Sequence, residues 1–118
     1  MDEFTKPPDA YVVSAYDVPL RENPMLRGRW ARVVDGSGRG LIVAAGRLAA
    51  GEDSGWHDHP EDEAFIVLAG RGIVRWRLAG DEHEHPVEPG AVFYKRGGIS
   101  HSMQASADGE LVGIGCKV

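Results

Sequence analysis

Gly51-Glu52-Asp53-Ser54-Gly55-Trp56-His57-Asp58-His59-Pro60-Glu61-Asp62-Glu63, continued by Ala64-Phe65-Ile66-Val67-Leu68-Ala69-Gly70, says more about this chain than any other stretch. Two histidines one residue apart project from the same face of extended backbone, as two ligands of one ion must. Glu63 shares their parity. A continuous strand would carry it roughly 20 Å from His57 at about 3.3 Å per residue, whereas metal bonds are about 2 Å long, so the chain must turn between them. Pro60-Glu61-Asp62 supplies the turn, because proline cannot donate to a central ladder and acidic residues tolerate exposure. After it, Ala64 to Ala69 reads as a strand that can cross back beside the histidines.

Outward from this stretch the pattern is short β-like runs between turn residues: 11–16, 29–34, 41–48, 63–69, 73–78, 91–95, 101–106 and 111–118. Asp35 to Gly40 and Ala79-Gly80-Asp81 read as hairpin loops. With Gly 16 in 118 residues, about twice the usual share, tight turns are frequent. The length suits one domain with one core, so residues 1–118 are expected to form a single all-β domain, a sandwich or barrel. Residues 1–10, with Pro7-Pro8 and few apolar groups, are expected to form an extended arm whose order depends on a partner chain.

Charge and composition exclude several partners. A net charge of -5 and a pI near 5.5 argue against nucleic acid, which is bound by clustered Lys and Arg. Apolar runs are far shorter than a membrane span, and Met1-Asp2-Glu3 lacks the charged-then-apolar order of a signal peptide. A cytoplasmic protein with no membrane or nucleic-acid partner is the expectation. Cys116 is alone, and its apolar run suggests a buried small hydrophobe rather than a nucleophile.

A second glycine-containing segment starts at Gly90 and brings a fourth metal-binding side chain, His101. Gly51-x5-His57-x-His59-x3-Glu63-x6-Gly70 resembles the first motif of the cupin superfamily at every fixed position. Gly90 to Ala105 is similar to the second motif at Gly90, Gly98 and His101, with Arg96 standing where proline is usual and Ala105 where asparagine is usual. The two motifs and their short spacer cover residues 51–105, nearly half the chain, in the manner of small single-domain bacterial cupins. That resemblance implies a double-stranded β-helix, a jelly-roll-like barrel enclosing an ion held by His57, His59, Glu63 and His101, and it implies that homodimers are common.

Three imidazoles and a carboxylate suit one divalent transition metal ion, Fe, Mn, Ni, Cu or Zn, and affinity order alone does not choose among them. Six-coordination would leave two positions for a small-molecule substrate, or for substrate and O2 together. The leading expectation is therefore a metal-dependent enzyme acting on a small organic molecule, with an oxygenase (a dioxygenase) ahead of a lyase, isomerase or cyclase. The alternative is a metal- or small-molecule-binding module without turnover, and a purely structural site ranks third. No residue is singled out as catalytic.

Phe65, Val67 and Met103 share parity with Glu63 or His101 and are expected to wall the pocket, as packing first and substrate contacts second. Tyr94 and Trp56 are candidates for its mouth, and Arg96, on the loop leading to His101, is a candidate pocket residue that could clamp a carboxylate. Trp76 is expected inward with Arg75 and Arg77 in solvent; a one-residue slip would instead aim the arginines into the cavity. His83 and His85 read as part of a solvent-exposed hairpin rather than a second metal site.

Overall fold

The computed structural model describes residues 11–17, 19–23, 26–36 and 40–118. The described residues form nine strands and no helix: β1 (Arg21–Asn23), β2 (Leu26–Gly36), β3 (Leu41–Leu48), β4 (Glu63–Ala69), β5 (Gly72–Leu78), β6 (Asp81–Val87), β7 (Val92–Lys95), β8 (His101–Ala105) and β9 (Leu111–Lys117). Every pairing is antiparallel. A six-stranded sheet runs β1-β2-β3-β9-β4-β7 and faces a three-stranded sheet β6-β5-β8, the two-sheet arrangement of a double-stranded β-helix. No helix among the described residues is long and apolar enough to cross a membrane.

The core lies between the sheets. Alternation puts Phe65 and Val67 of β4, Val74 of β5, Phe93 of β7, Met103 and Ala105 of β8 and Leu111 of β9 into one buried cluster, with Leu48 closing it from β3. Three inward glycines make room for large neighbours. A Cβ at Gly46 would strike the Trp30 ring, one at Gly113 the Phe65 ring, and one at Gly115 the Glu63 carboxylate. The last of these matters most, because it gives a charged side chain a berth in the interior.

The small sheet has an unrecognised fourth member. Residues 51–57 run antiparallel to β8 through Gly51 N–Ser106 O (2.9 Å), Ala105 N–Glu52 O (2.9 Å), Ser54 N–Met103 O (2.8 Å), His57 N–His101 O (3.0 Å) and His101 N–His57 O (2.9 Å). Isolated bridges at Asp53–Gln104 and His57–His101 mark the same alignment. The two glycine-framed segments of the sequence are therefore adjacent in space.

Several boundaries depart from the sequence reading. Residues 11–16 form no strand, only irregular backbone and a turn, and Tyr11 is instead tethered by its hydroxyl to Val33 O at 2.7 Å. β1 and β6 have no counterpart in it: β1 is three residues long, and β6 carries exposed polar residues where a strand signal needs alternation. Ala79-Gly80 does turn the chain between β5 and β6, with φ of 52° and 85° as a two-residue hairpin requires. The expected arm at 1–10 and the centre of the expected loop at 35–40 lie outside the described residues.

Candidate metal centre

Four side chains from three segments converge on one pocket of about 440 Å³ inside the barrel. His57 and His59 come from the loop before β4, Glu63 from the first position of β4, and His101 from the first position of β8. The turn at residues 60–62 sends the chain back as expected, and it is clamped on two sides. Asp62 exchanges backbone hydrogen bonds with Val118 at 3.0 Å each, while Gly97 N donates to Asp62 Oδ1 at 2.7 Å and Gly98 N to His59 O at 2.8 Å. The loop carrying Arg96 thus docks on the histidine turn without a proline. A Cβ at Gly97 would collide with Pro60 O, so this contact demands glycine.

All three imidazoles are oriented in one way. Nδ1 of His57 donates to Gly55 O (3.1 Å), Nδ1 of His59 to Glu61 O (2.9 Å) and Nδ1 of His101 to Ile99 O (2.8 Å). A carbonyl only accepts, so each Nδ1 carries its proton, and Nε2 of His57 and His101 offers a lone pair inward, while Nε2 of His59 faces the Glu63 carboxylate. Backbone orientation of the second ring nitrogen is what a metal-ligating histidine requires. The Nε2 atoms of His59 and His101 lie 3.1 and 3.7 Å from the same oxygen, Glu63 Oε1. The ligand atoms of His59, Glu63 and His101 all fall within 4.8 Å of one another. His57 lies outside that group, although it lines the same pocket and its ring centroid is 4.2 Å from that of His101.

The arrangement fits a cation. His101 is 1% exposed, and its buried Nε2 has no hydrogen-bond partner among the described residues. Such an orphan is rare in a native interior and normally has an unseen partner. Both nitrogens of His59 face oxygens that only accept, so the gap between its Nε2 and Glu63 calls for a proton or a metal ion.

Electrostatics agree with this geometry. Burial depresses the pKa of His101 to about 3, helped by the charge of Lys95, and burial likewise lowers that of His57. These rings stay neutral, as ligands must. Burial alone would raise the Glu63 carboxyl, but the hydrogen bond with His59 and the charge of Lys95 outweigh it and hold the group at about 2.

Lys95 is the residue that sequence reading passed over. It is 4% exposed and donates to Glu63 Oε1 at 2.9 Å. Burial lowers its pKa, and the Glu63 carboxylate opposes that shift. The signal was the alternation of β7: with Phe93 inward, Lys95 must follow and Tyr94 must point out. Tyr94 is accordingly 62% exposed and Arg96 is exposed on the loop; neither lines the pocket. The pleat of β7 corrects the expectation for Tyr94, and the outward course of the loop corrects that for Arg96.

The other expected pocket residues divide. Phe65 and Met103 line the pocket, whereas Val67 is buried one row deeper in the core. Trp56 lines it too, with the Arg77 guanidinium 3.7 Å from its ring centroid. Trp76 packs against the core, 5.8 Å from Phe93, while Arg75 and Arg77 face outward toward Asp53, Glu84 and Glu82. His83 and His85 are exposed on β6, where His83 stacks on Trp76 at 5.4 Å, and they join no metal-binding group among the described residues. Cys116 is free and half-buried, on the opposite face of β9 from Gly115 and Lys117.

Comparison with known proteins agrees with this picture. Residues 44–114 match the Cupin domain family. A curated relative, "Beta-alanine degradation protein BauB" of Pseudomonas aeruginosa, is 24% identical over 78 residues, which span 66% of this chain and 81% of the relative. Among solved structures, a predicted oxalate decarboxylase from Thermotoga maritima superposes with a TM-score of 0.74 at 20% identity, covering 92% of this chain and 98% of that one. HppE in its Fe(II) form superposes at 0.75 and 14% identity, covering 93% and 60%. At such identities the two structures establish the shared fold.

Proposed function

The chain belongs to the Cupin domain family, and from that footing we propose that it is a metal-dependent enzyme acting on a small organic molecule, with His59, Glu63 and His101 holding one divalent ion and His57 beside them as fourth ligand. The observation that carries this reading is the buried, partnerless Nε2 of His101, aimed at a carboxylate oxygen already faced by a second imidazole.

When bound, such an ion acts as a Lewis acid and a template for substrate. The chain's own residues do the rest. Carbonyls of residues 55, 61 and 99 lock the three tautomers, Phe65 and Met103 keep the floor apolar, and Trp56 stands at the rim. Three nitrogens and one oxygen accommodate Fe, Mn, Ni, Cu or Zn. HppE was solved with Fe(II), which keeps a redox-active ion among the candidates, and an oxygen-using reaction is placed ahead of a lyase, isomerase or cyclase because six-coordination would leave two positions for substrate and O2 together. A second reading, binding without turnover, is favoured by Lys95, which supplies Glu63 with a cation of its own.

Elemental analysis of the purified chain, followed by oxygen uptake and product analysis over a panel of small acids, alcohols and amines, separates these readings. A redox-active metal with substrate-dependent oxygen consumption is expected. Product without oxygen uptake would move the reaction to the non-redox class, and ligand binding without any product would establish the binding module. Replacement His59→Ala should abolish metal retention.

A further inference from the structure

Glu63 stands between two lysines. In the register of the large sheet it lies opposite Lys95 of β7 on one side and opposite Lys117 of β9 on the other. Residues directly opposite in antiparallel strands project to the same face, so the row Lys95–Glu63–Lys117 points into the barrel. All three side chains line the pocket of the candidate metal centre. Gly115, two residues before Lys117 on the same face, has no side chain, and the Glu63 carboxylate fills the space that a Cβ there would take.

One carboxylate cannot compensate both ammonium groups. Lys95 takes Glu63 Oε1 at 2.9 Å. Lys117 is half-buried and has no carboxylate within ion-pair distance among the described residues. Asp58 also lines the pocket but is exposed at its rim. Lys95, the buried lysine of the row, is paired, whereas the partly buried Lys117 leaves the pocket wall with surplus positive charge that an entering anion would neutralise.

We propose that the pocket takes small organic acids, with the substrate carboxylate bound by Lys117 and reached also by Lys95. This rests on the reading of the site as a metal-dependent centre and names its substrate class. A divalent ion drawing on the same Glu63 carboxylate weakens its hold on Lys95 and increases the demand for an anion. Metal and acid therefore bind with positive coupling, and by linkage each tightens the other. The pocket volume of about 440 Å³ lies at the lower end of ligand sites and suits molecules of a few carbons.

The test uses the full chain, metal-free and loaded with Co(II), titrated calorimetrically with propanoate and benzoate and with their neutral amides. The acids are expected to bind at least tenfold tighter than the amides, more so in the cobalt-loaded protein, and to perturb the cobalt absorption spectrum. Lys117→Met should remove most of that preference while retaining cobalt, and Lys117→Arg should restore it. Equal binding of acid and amide in both forms, or an undiminished preference in Lys117→Met, would overturn the proposal. Failure of wild type to take up cobalt, with the acid preference and its loss in Lys117→Met intact, would sink the metal reading and uphold this one.

Discussion

Lys95 Nζ lies 2.9 Å from Glu63 Oε1 in the barrel interior, each side chain almost wholly withdrawn from solvent. The same oxygen is faced by the Nε2 atoms of His59 and His101, so one carboxylate is the hub on which Lys95, His59 and His101 converge. A lysine and the proposed metal ion would thus compete for, or share, one oxygen.

Removing one partner of a buried pair strands the other. Lys95→Met should destabilise the metal-free protein by about 3 kcal/mol, in the range for breaking buried ion pairs. Urea denaturation measures it. Saturating divalent metal should recover much of that loss, because the ion supplies the positive charge that Glu63 then lacks. The double variant Lys95→Met with Glu63→Gln should be less destabilised than the single one when metal is absent.

The acid limb of stability follows from the depressed pKa values. His101, at about 3, and His57, also lowered, bind protons more weakly in the folded chain than in the unfolded one, whose value is 6.5. Stability is therefore fully present above pH 6.5 and falls as pH drops toward 3. Glu63, held at about 2 against 4.5, adds a second loss between pH 4.5 and 2. The metal-free protein should show a melting temperature that declines steadily below pH 6.5. Metal-loaded protein should hold its plateau to lower pH, since protons must displace the ion first.

Gly115 supplies space for the hub. Its backbone needs no positive φ, so the effect of a substitution there is steric. A methyl group in Gly115→Ala would collide with Glu63 Oε2. Overpacking of this kind destabilises by about 1–3 kcal/mol, and displacement of the carboxylate should weaken metal binding at least tenfold. Calorimetric metal titration and thermal melting read the two effects separately.

Outward residues supply the control. Tyr94→Ser and Arg96→Ala alter side chains that the pleat and the loop direct away from the pocket. Metal affinity in both should stay within twofold of wild type. A large loss in Tyr94→Ser would mean that β7 sits in the other register.

Where alternation and punctuation were strong, the sequence was legible to the residue. Leu41–Leu48 and Glu63–Ala69 emerge with their expected bounds because glycine or acidic turns delimit apolar runs at both ends. The spatial meeting of the histidine segment with His101 was also legible, through two glycine-framed motifs that proved to pair backbone to backbone. β6 was not, because an edge strand of exposed Glu and His carries no period-two hydrophobicity. Tyr11 to Tyr16 misled for the opposite reason: its apolar residues have strand composition, but no strand among the described residues pairs with them. Lys95 was missed because a lysine is read as surface by default, and the register Glu63–Lys95 that buries it is a tertiary fact.

The central claim is that Nε2 of His101, Nε2 of His59 and the Glu63 carboxylate hold one ion. Equilibrium dialysis against a divalent metal, with the metal-to-protein ratio measured in wild type and in His101→Asn, tests it most directly. One ion per chain in wild type, with affinity reduced at least a hundredfold in the variant and an unchanged β-sheet spectrum, is the outcome the account predicts. A wild-type chain that retains no metal, or a variant that retains as much as wild type, would contradict it.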